Sequence, residues 1–199
     1  MFDDRPTWIV DPIDGTMNFV HRFPHSSIVI GFSADRIAQF GVVYNPVLDE
    51  LYTGKLGHGA HLNGFPISVS GTKELNKALL ACNELVFTRD TDSVTVRTDN
   101  IRAVSTGPDA CHGLRMPGSA ALNMCAVARG ALDGYWEFGL HIWDMAAASV
   151  VLKEAGGVVI SPVVGEEFDL LKRRVVAVGS AELGRVLREK IQSIDFPSD

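Results

Sequence analysis

Residues 8–16 read Trp8-Ile9-Val10-Asp11-Pro12-Ile13-Asp14-Gly15-Thr16. The apolar residues at the start of this stretch predict a buried β-strand that delivers Asp11 at its end. Pro12 has no N–H group and cannot continue a hydrogen-bonded ladder, so we expect the chain to leave the sheet at this point.

The second half of the stretch combines carboxylates with a possible anion site. Asp14-Gly15-Thr16 has the composition of a turn that opens into a helix. Backbone N–H groups at a helix start attract anions, and Gly15 permits close approach because it has no Cβ. Asp11 and Asp14 would therefore lie beside a potential phosphate cradle.

A third acid stands far downstream, in Trp143-Asp144-Met145-Ala146-Ala147-Ala148. We predict Asp144 as the N-cap of a helix that Gly156-Gly157 ends. If the fold brings it to Asp11 and Asp14, each pair of charges at about 4 Å repels by about 4 kcal/mol at an effective dielectric constant near 20. Oxygen ligands without an accompanying His or Cys set favour Mg²⁺ over zinc.

Simpler explanations exist for each acid taken alone. Asp-Pro and Asp-Gly are common turn dipeptides, so Asp11 and Asp14 could be turn residues. Asp144 could serve only as a helix cap, a role that contributes about 1 kcal/mol. The three acids in this pattern together favour a metal site.

The rest of the chain predicts a layered α/β protein. Residues 26–67 resemble an antiparallel meander with turns at Asn45-Pro46 and Asn63-Gly64. After residue 70 helical and strand patterns alternate. The predicted helices span residues 90–102, 119–129 and 144–155 and a tail from residue 182 with apolar positions through Ile194. We predict two sheets in a single domain over residues 1–199.

The composition and net charge of the chain exclude several classes of protein. The chain has 199 residues, 46% of them hydrophobic, which is enough to build a core and excludes a disordered protein. Its net charge of −6 argues against a nucleic-acid partner, and no apolar run reaches the roughly 20 residues that a membrane helix needs. Three cysteines without C-x-x-C spacing favour neither disulfides nor zinc, and the N-terminus lacks a signal-peptide pattern. We expect a cytoplasmic location.

Two separated motifs resemble those of the inositol monophosphatase family. The first, W-x-x-D-P-x-D-G-T-x-N-F, spans residues 8–19, and the second, W-D-x-A-[AG]-[AG] with a trailing E-A-G-G, spans residues 143–148 and 154–157. The resemblance extends from about residue 3 nearly to the C-terminus. It implies a lithium-sensitive, Mg²⁺-dependent phosphatase with a layered αβαβα fold, usually a homodimer. The implied reaction is hydrolysis of myo-inositol monophosphate by metal-activated water, without a phosphoenzyme.

The resemblance also implies roles for ten residues. The metal ligands would be Asp11, the carbonyl of Ile13, Asp14 and Asp144. The catalytic residues would be Asp11, Asp14, Thr16 and Asp144, with the Thr16 hydroxyl orienting the attacking water. The substrate would contact Ile13, Asp14, Gly15, Thr16, Gly118, Ser119, Ala120, Glu137 and Asp144. On the residues alone, Gly118-Ser119-Ala120 reads as an ordinary helix start, and Glu137 fits a solvent-facing acid as well as a pocket residue.

Some of the family pattern has no counterpart in this sequence. The family places two helices, a hairpin and a metal-bridging G-E-E motif before its first signature, whereas seven residues precede Trp8 here. We therefore expect an N-terminally truncated form of the fold, an exposed apolar sheet surface and slow or absent turnover. Gly165-Glu166-Glu167 is interpreted as a surface loop, and Phe87 replaces a family serine in Glu84-Leu85-Val86-Phe87.

Two alternatives to an inositol monophosphatase stay open from the sequence. The substrate could be another small phosphate ester, such as a nucleotide bisphosphate or a sugar phosphate. The chain could also be a non-catalytic short isoform that modulates a full-length phosphatase.

Overall fold

The computed structural model describes residues 3–83 and 91–198. Within these ranges the strands are β1 (Thr7–Asp14), β2 (Ser27–Ala34), β3 (Ile37–Asn45), β4 (Glu50–Lys55), β5 (Ala60–Leu62), β6 (Phe65–Pro66), β7 (Leu79–Cys82), β8 (Gly113–Arg115), β9 (Gly134–Phe138), β10 (Val158–Ile160) and β11 (Arg174–Val178). The α-helices are α1 (Thr16–Val20), α2 (Thr91–Ser105), α3 (Ala120–Ala128), α4 (Ile142–Glu154) and α5 (Ala181–Lys190). Short 3₁₀ helices span Leu75–Lys77 and Leu170–Lys172.

The first sheet is an antiparallel meander in the order β1-β2-β3-β4-β5-β6. Asn63 and Gly64 join β5 to β6 with φ angles of 50° and 81°, the left-handed values that a two-residue hairpin turn requires. The predicted meander and this hairpin are confirmed.

Strand β1 differs from its prediction in two respects. The chain stays in the sheet through Pro12, because the register shifts between Asp11 and Asp14 and the proline lies in an irregular part of an edge strand. The prediction of a buried strand is also wrong, since Trp8 is 61% exposed and Val10 is 49% exposed. Ile9 alternates with these residues and is buried, whereas Asp14 shares their parity and is buried because the register shifts after Asp11.

The second sheet has the order β10-β11-β9-β7-β8, with β7 parallel to both of its neighbours. Both faces of β9 and β11 are buried. Tyr135 packs into the core on one face, whereas Trp136 and Phe138 pack into a separate core on the other. This alternation follows from the two-residue period of a strand.

The two sheets and the helices form successive layers. Helices α3 and α4 lie between the sheets, and α5 packs on the outer face of the second sheet. The predicted layered α/β fold is confirmed. No part of 3–83 or 91–198 adds a helical layer to the outer face of the first sheet, where the rings of Trp8, Phe32 and Phe40 pack at centroid distances of 5.1–5.4 Å.

The helices also refine the sequence predictions. Helix α3 begins after its N-cap Ser119, close to the predicted start. Asp144 is the third residue of α4, and His141 is its N-cap, so the predicted N-cap role of Asp144 is wrong. The tail helix ends at Lys190, although Ile194 beyond it still packs against the core. None of the helices in the described part of the chain is long and apolar enough to cross a membrane.

Helix α4 lies unusually close to the first sheet because both surfaces carry small residues. A Cβ added to Gly41 would lie 2.2 Å from the carbonyl oxygen of Ala147, and one added to Gly54 would lie 2.7 Å from the Cα of Val151. The backbone of α4 therefore rests directly on β3 and β4. This contact sets the position of the helix that carries Asp144.

We expect Gly41→Ala to destabilise the protein by about 2–3 kcal/mol, because the added methyl group meets helix backbone that cannot rotate away. Gly179→Ala is a matched control, since its Cβ would meet atoms only at ordinary contact distances of 3.4 Å and more. Urea unfolding of both variants measures the difference. Equal unfolding midpoints for the two would contradict the close helix–sheet contact.

Candidate active site

The three acids that are distant in the sequence meet in the structure. Asp11, Asp14 and Asp144 each offer a carboxylate oxygen, and these oxygens all lie within 4.8 Å of one another. Strand β1 supplies the first two acids, and the first turn of α4 supplies the third. The close helix–sheet contact thus joins two separate elements at one cluster.

Asp14 is the buried member of the cluster. Its Oδ2 accepts hydrogen bonds from Ser119 Oγ (2.6 Å), the Ala121 N–H (3.0 Å) and Ser27 Oγ (3.3 Å). Burial raises the pKa of Asp14, whereas the hydrogen bonds from Ser119 and Ala121 favour the charged form. The carboxylate therefore lies against the first turn of α3, where unpaired N–H groups favour negative charge.

The other two acids are oriented by backbone amides. The Ile13 N–H donates to Asp11 Oδ1 (3.0 Å) and closes a tight turn across the intervening proline. The His141 N–H donates to Asp144 Oδ2 (2.7 Å) at the start of α4. Burial, and then the charges of Asp14 and Asp11, raise the pKa of Asp144 to about 7.

A cleft of about 1000 Å³ opens over the cluster. It is lined by all ten residues that the sequence singled out: Asp11, Ile13, Asp14, Gly15, Thr16, Gly118, Ser119, Ala120, Glu137 and Asp144. The structure therefore brings together residues from β1, α1, the start of α3, β9 and α4 around one cavity.

The wall beside Asp14 is formed by the start of α1. Gly15 has φ 79° and ψ 41°, and a Cβ there would lie 2.9 Å from the carbonyl oxygen of His25. Both the left-handed backbone and the close approach require glycine. Thr16 follows as the first residue of the helix, and its side chain is exposed to the cleft.

The segment Gly118-Ser119-Ala120 is both a helix start and a cleft wall. Ser119 accepts a hydrogen bond from the Leu122 N–H (3.3 Å) as the N-cap of α3, and its hydroxyl donates to Asp14. The helix-start interpretation is thus correct, and the same residues face the cavity.

Glu137 is buried rather than solvent-facing. It lies on β9 with 9% of its surface exposed, and it reaches the cleft. Its Oε2 accepts hydrogen bonds from Asn83 Nδ2 (2.7 Å) and from the hydroxyl of Tyr135. Burial raises the pKa of Glu137 to about 8.

Sequence reasoning missed two asparagines that hold the cleft together. Asn18 Nδ2 donates to the carbonyl oxygens of His25 and Pro117, both at 2.7 Å. Asn83 Oδ1 accepts from the Gly118 N–H (3.2 Å). Asn18 lies inside the first motif, but its position there gave no signal that its side chain would reach the backbone of Pro117, 99 residues away.

Two aromatic rings of the cleft were also missed. His141 and Trp143 stack at a centroid distance of 4.5 Å and an interplanar angle of 13°, and both line the cavity. Both residues precede the helix start predicted at Asp144, and their stacking depends on backbone geometry that the sequence pattern does not encode.

Two further sequence interpretations have different outcomes. Residues 165–167 form a loop in which Glu166 pairs with Arg174 (2.8 Å), so the surface-loop interpretation is confirmed. The replacement at Phe87 lies outside the described residues.

The donor set of the cluster suits a divalent cation. Within 3–83 and 91–198, no Lys or Arg forms an ion pair with Asp11, Asp14 or Asp144, although two carboxylate charges about 4–5 Å apart repel by roughly 3–4 kcal/mol at an effective dielectric constant near 20. All the converging side-chain atoms are carboxylate oxygens, which hard cations such as Mg²⁺ and Ca²⁺ prefer. A bound cation would offset the repulsion among the three carboxylates.

Comparisons with known proteins agree with this geometry. The family model described as the inositol monophosphatase family matches residues 2–195. Among curated proteins, inositol monophosphatase 1 of Mus musculus is 42% identical over 199 residues, which cover 100% of this chain and 70% of that protein. Inositol monophosphatase 1 of Xenopus laevis is 44% identical over 197 residues, which cover 98% and 68%.

Solved structures extend the similarity to the fold. The inositol monophosphatase from Anabaena (Nostoc) sp. PCC 7120 matches with a TM-score of 0.85 at 34% identity, covering 96% of this chain and 73% of that one. SaIMPase-II, solved with inositol monophosphate bound, matches with a TM-score of 0.78 at 29% identity, covering 94% and 69%.

The buried Glu137 predicts a measurable dependence of stability on pH. Its pKa is about 8 in the folded protein and near 4.5 once unfolded, so between these values the unfolded state releases a proton that the folded state keeps. The proton held by Glu137 therefore adds to the free energy of unfolding. This stabilisation is complete below about pH 4.5 and is lost as the pH rises toward 8, by at most about 1.4 kcal/mol per pH unit. We expect Glu137→Gln, which keeps an accepting oxygen but cannot ionise, to flatten the decline.

The measurement is the free energy of unfolding in urea at several pH values within that window. Glu182→Gln is the control, because Glu182 is exposed and pairs with Lys73 at the surface. The free energy of unfolding of Glu182→Gln should decline with pH at the same slope as that of the wild type. A slope that is the same in Glu137→Gln as in the wild type would show that Glu137 ionises normally.

Proposed function

The chain belongs to the inositol monophosphatase family, and we propose that it hydrolyses myo-inositol monophosphate to inositol and phosphate with Mg²⁺ as its cofactor. The observation that carries the proposal is the convergence of Asp11, Asp14 and Asp144 within 4.8 Å at the base of a large cleft. The curated relatives are named inositol monophosphatases, and SaIMPase-II was solved with inositol monophosphate bound.

The proposed metal ligands are the three aspartates and the carbonyl oxygen of Ile13, all of which line the cleft. When bound, the metal supplies positive charge beside the phosphate and lowers the pKa of a nearby water molecule. The protein's part is to hold the carboxylates in place. The backbone donors to Asp11 and Asp144 and the hydroxyl and amide donors to Asp14 do this before any ligand arrives.

The phosphate would lie beside Gly15 and Thr16. Both residues line the cleft, and the Thr16 hydroxyl is proposed to orient the attacking water. Thr16 is exposed on the cleft side of α1, so its hydroxyl is available to solvent there.

The inositol ring would lie between Glu137 and the start of α3. Among the described residues, Asn83 and Tyr135 both donate to Oε2 of Glu137 and none donates to Oε1, so Oε1 can form a hydrogen bond with a substrate hydroxyl. Gly118, Ser119 and Ala120 form the facing wall. Asp144 is proposed to contact both metal and substrate.

Further properties are proposed on family membership alone. These are a single catalytic domain over residues 1–199, a homodimeric state, inhibition by Li⁺ and a cytoplasmic location.

Metal binding predicts a thermal shift. We expect Mg²⁺ at about 100 times its Kd to stabilise the folded chain by about 2.7 kcal/mol, because only the folded state assembles the site. Asp144→Asn should lose most of this shift, since it removes one of the three converging charges. Asp35→Asn, an exposed acid in a turn with φ 53° that asparagine adopts readily, should keep it.

The measurement is the melting temperature with Mg²⁺ and with a chelator. An equal shift in Asp144→Asn and Asp35→Asn, or no shift in the wild type, would contradict the metal site.

Phosphate release from myo-inositol 1-phosphate tests the reaction itself. We expect Mg²⁺-dependent release by the wild type and a decrease of about 100-fold or more in Asp11→Asn, because the reaction depends on electrostatic stabilisation by groups at this site. Asp35→Asn should release phosphate at the wild-type rate.

A sugar phosphate and a nucleotide bisphosphate assayed in parallel distinguish the alternative substrates. If phosphate is released faster from one of these two esters than from inositol monophosphate, that ester is the preferred substrate. Metal binding without release from any ester would favour the non-catalytic alternative.

A further inference from the structure

A three-residue segment connects the two acids that the proposed function uses for substrate and metal. Residues 139–141 run from the end of β9, which carries Glu137, to the start of α4, which carries Asp144. All three residues line the cleft. The path of this segment therefore sets the spacing of the two acids.

Arg173 holds this segment from outside the cleft lining. Its Nε donates to the carbonyl oxygen of Leu140 (2.9 Å), and its Nη2 donates to that of Gly139 (2.9 Å). The same Nη2 lies 3.1 Å from Nε2 of His141, which must accept because a guanidinium only donates. The carbonyl of Arg173 in turn accepts from the N–H groups of Gly139 (2.8 Å) and Leu140 (3.2 Å).

The guanidinium of Arg173 is itself fixed. Arg173 has φ 57°, at the end of the short 3₁₀ helix Leu170–Lys172, so the chain turns sharply before β11 begins. The guanidinium carbon lies 5.4 Å from the ring centroid of Phe196, and a Cβ on Gly139 would lie 3.1 Å from the same ring. Phe196 therefore packs against both the arginine and the segment that it holds.

The hydrogen bonds lead directly to the acid cluster. The N–H of His141, the last residue of the segment, donates to Asp144 Oδ2 (2.7 Å). A displacement of residues 139–141 would therefore reorient the Asp144 carboxylate and unstack His141 from Trp143.

We infer that Arg173 is a positioning residue of the cleft: its planar set of donors fixes residues 139–141 and, through the His141 amide, the orientation of Asp144. The inference rests on the proposed function only for its effect on metal binding. Lysine cannot replace the arginine here, because a single ammonium group cannot donate in the plane to two carbonyl oxygens and a ring nitrogen.

The neighbouring Arg174 offers a matched control. Its side chain is 8% exposed and its guanidinium pairs with Glu166 (2.8 Å) and with Asp195, and none of these three residues lines the cleft over the acid cluster. A general loss of stability should therefore follow from either substitution, whereas an effect on the cleft should follow only from Arg173.

The first experiment is amide hydrogen exchange of the metal-free protein in peptides that span residues 139–144, for Arg173→Ala, Arg173→Lys and Arg174→Ala. We expect about tenfold faster exchange in the two Arg173 variants and the wild-type rate in Arg174→Ala. Guanidinium ion added to Arg173→Ala should slow the exchange again. Exchange that is equal in Arg173→Ala and Arg174→Ala, or that guanidinium leaves unchanged, would overturn the inference.

The second experiment titrates Mn²⁺, a spectroscopic probe for the divalent-cation site, into the same variants. We expect Arg173→Ala to bind about tenfold more weakly than Arg174→Ala, as is typical when partners that orient metal ligands are removed. Arg173→Lys should recover less than half of the loss.

The two experiments separate two kinds of failure. A wild-type protein that binds no Mn²⁺ would contradict the proposed function, and hydrogen exchange would still decide the role of Arg173. A wild type that binds Mn²⁺ with the same affinity as Arg173→Ala would overturn the positioning role.

Discussion

Three carboxyl groups whose oxygens lie within 4.8 Å of one another are the constraint around which this molecule is organised. Their mutual repulsion opposes folding, so each carboxylate needs donors that fix it in place. The fold supplies them from different elements: hydroxyl and amide groups at the start of α3 for Asp14, a tight turn for Asp11 and the first turn of α4 for Asp144. The donors are mostly backbone groups, so the cluster depends on accurate placement of whole elements.

The close contact between α4 and the first sheet provides this placement. Gly41 and Gly54 have no side chains at the points where the helix crosses β3 and β4, and the small alanine side chains of α4 allow the same close approach. The second sheet lies on the other side of the middle layer and brings Glu137 to the same cleft. Arg173, which precedes β11, then connects the end of β9 to the start of α4.

The sequence predicted the features that arise from local patterns. The meander, the hairpin at Asn63-Gly64 and the acids of residues 8–16 each have a short-range signature. It did not predict the third-residue position of Asp144 in α4, because His141 is an uncommon N-cap residue. It could not predict the partner of Asn18 either, because that carbonyl lies 99 residues away in the chain. Strand periodicity predicted a buried Trp8, whereas the expectation of an exposed apolar sheet surface agrees with its 61% exposure.

Pro12 interrupts β1, which is an edge strand of the first sheet. Among residues 3–83 and 91–198, only β2 pairs with this strand, and Trp8 and Val10 beside the other edge are exposed. Such an edge is a template for aggregation through strand addition. The missing N–H of Pro12, the shifted register and the charge of Asp11 interrupt that template after a few residues. The same short segment that supplies two acids to the cluster thus also interrupts the open edge of the first sheet.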